Sequence, residues 1–266
     1  MEEIKFVHKV SRGSKFNQIY IPSNKEKEFE PGDLVEVKLL KKKTRIYYSN
    51  NLEKLAEFKK NLIEEIFKFL AGYIEINQVF IFGSFLTKKI GYNDIDVLIL
   101  TQRKNNNLDN KVYNDLINKF NLNFHIISFN EQKLKELLEI CPLTRSMLYY
   151  HVSDKEFKIP IKTTIDENHI RFLLMMPEDL LEVDLDYGIE YYNALRKLCV
   201  IKKFLMGKEI SPNNIDSYLE NLIDKRVLDL LKRNEILDKN ILRKIKNVIK
   251  DELEKIYGGM NYGKKR

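Results

Sequence analysis

The sequence predicts an α+β fold: a small mixed β-sheet core with flanking helices, preceded by a small β unit and followed by a helical domain. Three observations carry this expectation. Short β-type runs broken by turn residues fill the first 48 residues. Helical and strand periodicities then alternate over residues 51–160, the pattern of a compact domain with helices packed on a sheet. Beyond residue 164 only the helical spacing remains. The changes of period set three expected domains: 1–48, 51–160 and 165–266.

In the first segment the β-type runs are "IKFVHKV", "NQIYIP" and "DLVEVKLL", the last introduced by the turn signal Pro31-Gly32-Asp33. Asn24–Phe29, between the second and third runs, reads as a single helical turn. So small a β unit buries too little apolar surface to stand alone and needs the rest of the chain or a second copy.

From Asn51 the period becomes helical. Leu52, Leu55, Phe58, Leu62, Ile63, Ile66, Phe67 and Leu70 recur at three- and four-residue spacings up to a stop near Gly72. Strands are expected at Val79–Phe82, Ile95–Leu100 and Asn123–Ser128, with helices at Val112–Phe120 and Glu131–Ile140. In the last segment, helical runs cover Tyr191–Glu209, Asn213–Asn234 and Asn240–Gly259.

Composition excludes several classes. In 266 residues, 44% hydrophobic and 32% charged content describe a soluble globular chain rather than a disordered one. No apolar run is long enough to span a bilayer. The start "MEEIKFVHKV" is acidic where a signal peptide would be basic, so a cytoplasmic protein without a membrane partner is expected. Cys141 and Cys199 stand in no metal-ligand or redox spacing and read as buried thiols. The net charge of +7 favours a polyanionic partner or substrate. Residues 225–266 hold 13 Lys/Arg against 6 Asp/Glu, which fits either a solvated helix face or a basic arm on nucleic acid.

The chemistry concentrates in "FIFGSFLTKKIGYNDIDV", residues 80–97. Asp94 and Asp96 lie two apart, so on a strand their side chains share a face. Two such carboxylates at the mouth of an apolar strand repel each other and resist burial unless a cation offsets them. A hard divalent ion such as Mg²⁺ suits all-oxygen ligands. Gly83-Ser84 ends the preceding strand with a backbone that can approach a ligand closely and a hydroxyl that can donate to phosphate. Lys88 and Lys89 add positive charge nearby. Together these residues suit a metal-bound polyphosphate.

These residues resemble a family. Phe82-Gly83-Ser84 followed by Asp94-Ile95-Asp96-Val97 is similar to the signature of the DNA polymerase β-like nucleotidyltransferases, and the likeness covers about residues 51–130. The resemblance implies transfer of NMP from an NTP, ATP foremost, to a hydroxyl on RNA, protein or a small molecule. It implies Mg²⁺ (or Mn²⁺) held by Asp94 and Asp96, with Gly83 and Ser84 at the triphosphate; Lys88 is a further triphosphate candidate through its charge beside them. The family's third acidic position, on the next core strand, falls here on His125. A neutral imidazole there suits a base, a ligand for a softer ion, or a domain that binds nucleotide without turnover. The last case defines an alternative function, a nucleotide- or nucleic-acid-binding regulator.

Arg12-Gly13, Ile19–Pro22 and Pro31–Val37 resemble the AbrB-type swapped-hairpin module, which implies a homodimer through residues 1–48 and DNA as a partner. In the helical segment Tyr191, Tyr192, Arg196, Lys202 and Lys203 could reach a phosphate or base, or serve core packing.

Overall fold

The computed structural model describes residues 5–38, 45–49, 52, 54–88, 91–102, 106–160 and 162–263. The chain divides into two compact units, residues 1–43 and 44–266.

In the first unit β1 (Ser11–Arg12) pairs antiparallel with β2 (Asn17–Gln18), and a 3₁₀ turn follows at Ser23–Glu28, where the sequence places its helical link. The three predicted runs do not form full strands. Only Asn17 and Gln18 of the second run join a ladder, and neither Lys5–Val10 nor Asp33–Lys38 has a sheet partner among the described residues. Ile4, Leu39 and Leu40, the ends of the first and third runs, lie outside the described residues. Alternating side chains make a strand only when another edge accepts the backbone bonds. Val7, Phe16 and Leu34 stand 77%, 76% and 102% exposed, so this unit has almost no core of its own.

The second unit opens with β3 (Tyr47–Tyr48) and α1 (Glu57–Leu70). It continues through β4 (Ile76–Phe82), β5 (Ile95–Thr101), α2 (Asn106–Phe120) and β6 (Phe124–Asn130). Then come α3 (Glu131–Ile140), α4 (Pro142–Met147) and β7 (His151–Ser153). The sheet order is β3-β7-β4-β5-β6; only β5 and β6 run parallel, because α2 carries the chain back between them. This is the small mixed sheet of the expected α+β fold. α1 starts later than its apolar spacing suggests: Leu55 is buried ahead of the helix, and Phe58 is half-exposed.

Period-two alternation divides the sheet into two faces. Val79, Ile81, Ile95, Val97, Ile99 and Phe124 pack under Ile63, Ile66 and Leu70 of α1 and Val112 and Leu116 of α2. Phe80, Phe82, Leu98 and Leu100 face Leu134 and Leu138 of α3. Asp96 is in phase with the second set, on the α3 face.

Among the described residues the unit continues through α5 (Glu167–Glu182), α6 (Ile189–Leu205), α7 (Pro212–Leu222), α8 (Lys225–Lys232) and α9 (Lys239–Gly263). The single run predicted over Asn213–Asn234 is broken at Ile223-Asp224, where the Asp224 carboxylate accepts from Arg226 N at 2.8 Å and starts a new helix. The core of this helical part takes in Cys141 and packs against Leu137, Ile140 and Leu143 from α3 and α4. Both cysteines are free and buried, as expected. Among the described residues no helix is long and apolar enough to cross a membrane.

Candidate active site

The site forms where β4 and β6 flank the start of β5. Phe82 pairs with Asp96 across the antiparallel ladder, and Asp96 pairs with His125 across the parallel one. The parallel register is anchored at its start by Ile95 N donating to Asn123 O at 3.0 Å and by the Asn123 amide donating to Asn93 O at 3.3 Å.

Gly83 follows β4 with φ 77° and ψ −156°, backbone that side chains rarely tolerate. A Cβ here would lie 2.0 Å from Oδ2 of Asp96, so the bare backbone makes room for that carboxylate. A 3₁₀ turn, Ser84–Leu86, comes next and is closed by Thr87, whose N–H and hydroxyl both donate to Ser84 O, at 3.1 and 2.8 Å. Phe85 and Leu86 are buried, whereas Gly83, Ser84 and Lys88 are exposed. Lys89 lies outside the described residues.

Asp96 keeps 19% of its side chain exposed, and its Oδ1 stands 3.1 Å from Nδ1 of His125. Burial pushes the Asp96 carboxyl above its ordinary range; the His125 ring pulls it back, and the neighbouring charge of Asp94 pushes it up further. His125 is 59% exposed. The fold therefore gathers Asp94, Asp96 and His125 beside Gly83-Ser84.

Among the described residues no group of three or more His, Cys, Asp and Glu side chains is placed to hold a metal ion. What the start of β5 offers is two carboxylates, Asp94 just ahead of the strand and Asp96 within it, the latter desolvated and repelled by the former. That donor set fits Mg²⁺, which is commonly held by one or two carboxylates with substrate phosphates completing its shell.

Sequence reasoning missed Lys59. Its side chain is 1% exposed, and Nζ donates to Phe85 O and Thr87 O, both at 2.8 Å. The available signal was its phase: Lys59 precedes Ile63, Ile66 and Leu70 on one helical stripe. The other candidates are accounted for by packing. Asp109 accepts from Ser128 Oγ at 2.8 Å and Asp115 from Tyr73 OH at 2.5 Å, both on the α1/α2 side of the sheet. Tyr191 is fully buried, its hydroxyl accepting from Leu185 N and donating to Val183 O. Lys202 is paired with Glu252 at 2.8 Å and bonds Tyr218 OH at 2.6 Å. On α6, Arg196 is exposed, while Tyr192 packs half-buried against the helical core under Lys232, and Lys203, also half-buried, lies over the Tyr218 ring.

With this geometry in place, the comparison with known families is specific. Residues 64–149 match the family model described as Polymerase beta, Nucleotidyltransferase. The match takes in the last turns of α1, the Gly83-Ser84 turn, both aspartates, His125 and α4. This part of the chain is a domain of the polymerase β-like nucleotidyltransferase superfamily. No curated protein matches the chain.

Proposed function

We propose that the chain transfers NMP from an NTP, ATP foremost, to a hydroxyl on an RNA, protein or small-molecule acceptor. The observation that carries the reading is the placement of Asp96: His125 and Phe82 are its register partners on the two neighbouring strands, and the side-chain-free Gly83 that follows Phe82 leaves room for its carboxylate. The Gly83 backbone and Ser84 hydroxyl hold the triphosphate, and Lys88 adds charge at its edge. Asp94 and Asp96 hold Mg²⁺ (or Mn²⁺), which when bound neutralises charge on the phosphates. The acceptor oxygen forms a bond to the α-phosphorus as the bond from that phosphorus to the bridging oxygen breaks, releasing pyrophosphate. His125 Nδ1 is engaged by Asp96, which orients the ring; Nε2, the other ring nitrogen, takes the acceptor's proton.

The test is transfer of label. Purified chain is incubated with each α-labelled NTP, Mg²⁺ or Mn²⁺, and bulk RNA or candidate proteins, beside Asp96→Asn. Label that moves with the native chain and not with the variant supports the reading. Tight NTP binding with no acceptor labelled favours the regulator instead.

For residues 5–38 the proposal is pairing with a second copy of this chain, in the manner of the swapped-hairpin modules that the segment resembles. The exposure of Val7, Phe16 and Leu34 supports it. The charge of residues 1–48, 11 Lys/Arg against 7 Asp/Glu, is compatible with a DNA partner. Light scattering on the full chain decides the pairing: a dimer that Leu34→Asp dissociates supports it, and a monomeric native chain rules it out.

A further inference from the structure

We infer that Lys59 is a positioning residue for the nucleotide site, its buried ammonium tying the Gly83–Thr87 turn to the loop that delivers Asp94. The inference rests on the nucleotidyltransferase reading for its functional consequence, but the tie itself stands on geometry.

Lys59 leaves α1 in phase with Ile63, Ile66 and Leu70, a stripe that otherwise faces the sheet core. Its Nζ reaches past that core to the carbonyls of Phe85 and Thr87, both within the turn that begins at Gly83. The same Nζ stands 5.2 Å from the centroid of the Phe85 ring and 5.7 Å from that of Tyr92. Those two rings meet edge to face at 4.9 Å. Phe85 belongs to the turn, and Tyr92 lies two residues before Asp94. One cation thus touches both limbs of the site, the one that presents Gly83-Ser84 and the one that presents the aspartates.

An apolar side chain would fill this space without desolvating a charge, and burial does press the Lys59 ammonium toward its neutral form. What an apolar residue cannot do is satisfy two inward-facing carbonyls. With Lys59 bonded to them, the path from Gly83 to Thr87 is fixed, and Gly83 stays in its left-handed conformation against the Asp96 carboxylate.

Two measurements on the full chain test the inference. The first is hydrogen–deuterium exchange of the native protein and Lys59→Met. Amides of residues 83–88 and 91–96 are expected to exchange faster in the variant, with those of α6 and β6 unchanged. The second is Mg·ATP affinity, which K59M is expected to lower by about tenfold or more through misplacement of the phosphate-holding turn. Propylammonium is expected to restore affinity to Lys59→Ala, and propanol is not. Unchanged exchange at the two segments overturns the inference. So does faster exchange spread equally over α1, β4 and α2, or rescue by propanol as good as by propylammonium. If the native chain binds no Mg·NTP, the nucleotidyltransferase reading falls, and the exchange result alone decides whether Lys59 holds the two limbs together.

Discussion

Gly83 and Asp96 are built as one unit: a Cβ on the glycine would lie 2.0 Å from the carboxylate oxygen Oδ2. The collision leaves two outcomes for any side chain at position 83. Either the turn swings away from β5, or Asp96 leaves the position it shares with His125. Gly83→Ala is therefore expected to destabilise the unit by about 1–3 kcal/mol, from the positive φ and the clash together. Transfer activity should fall by about 100-fold. Urea unfolding and initial rates of label transfer check the two parts.

Asp96→Asn separates stability from function. The carboxylate is desolvated and repelled by Asp94, so replacing it with a neutral amide of the same shape removes an unfavourable charge. The melting temperature of the apo protein should stay level or rise, while transfer falls by about 1000-fold. Thermal scans with and without Mg·ATP sharpen the test: the nucleotide complex should raise the melting point of the native chain and leave that of D96N where it was.

His125 occupies the register position beside Asp96 with most of its ring in solvent. His125→Ala is expected to lower the transfer rate by about 100-fold with little change in nucleotide affinity, since in the proposed reaction the residue takes the acceptor's proton. His125→Asp, which places a carboxylate at the same register, should retain more activity than H125A. Parallel measurement of kcat and nucleotide Kd checks the split.

The helical part carries a pH-sensitive joint. Burial alone would raise the Glu252 carboxyl, but hydrogen bonds from Lys202, Lys255 and Tyr218 outweigh it and hold the group below the usual carboxylate range. A carboxylate depressed in the folded state lends stability above its unfolded pKa, and that stability is lost as pH falls through the folded value. Native protein should therefore lose stability on acidification below about pH 4.5 more steeply than Glu252→Gln, which is neutral throughout. Denaturant midpoints taken across the acid range make the comparison.

The sequence made some of this site legible and hid the rest for identifiable reasons. Gly83-Ser84 and Asp94-x-Asp96 could be read because each rests on a local rule, a backbone only glycine adopts and a two-residue repeat on a strand. The α+β class followed in the same way, from the change of period along the chain. The approach of His125 to Asp96 depends on the pairing of β5 with β6, and only the position of the third strand hinted at it. Lys59 escapes a search for apolar spacing because a lysine near the start of a helix is expected in water, although its phase with Ile63 and Ile66 points inward. In residues 5–38 the β-type runs predict strands, but such a run does not by itself supply the partner edge that makes a ladder. The break at Ile223-Asp224 was masked by apolar spacing that runs on through both α7 and α8.

The shared core of α3, α4 and the C-terminal helices sets a practical boundary. Leu137, Ile140, Cys141 and Leu143 belong to the nucleotidyltransferase domain by sequence, yet their apolar surface is covered by α5, α6 and their neighbours. A fragment cut near residue 160 would turn that surface out to water on the helices that roof the α3 face of the sheet. The nucleotidyltransferase domain is not a detachable cassette, and its expression in isolation should yield aggregate rather than a folded domain.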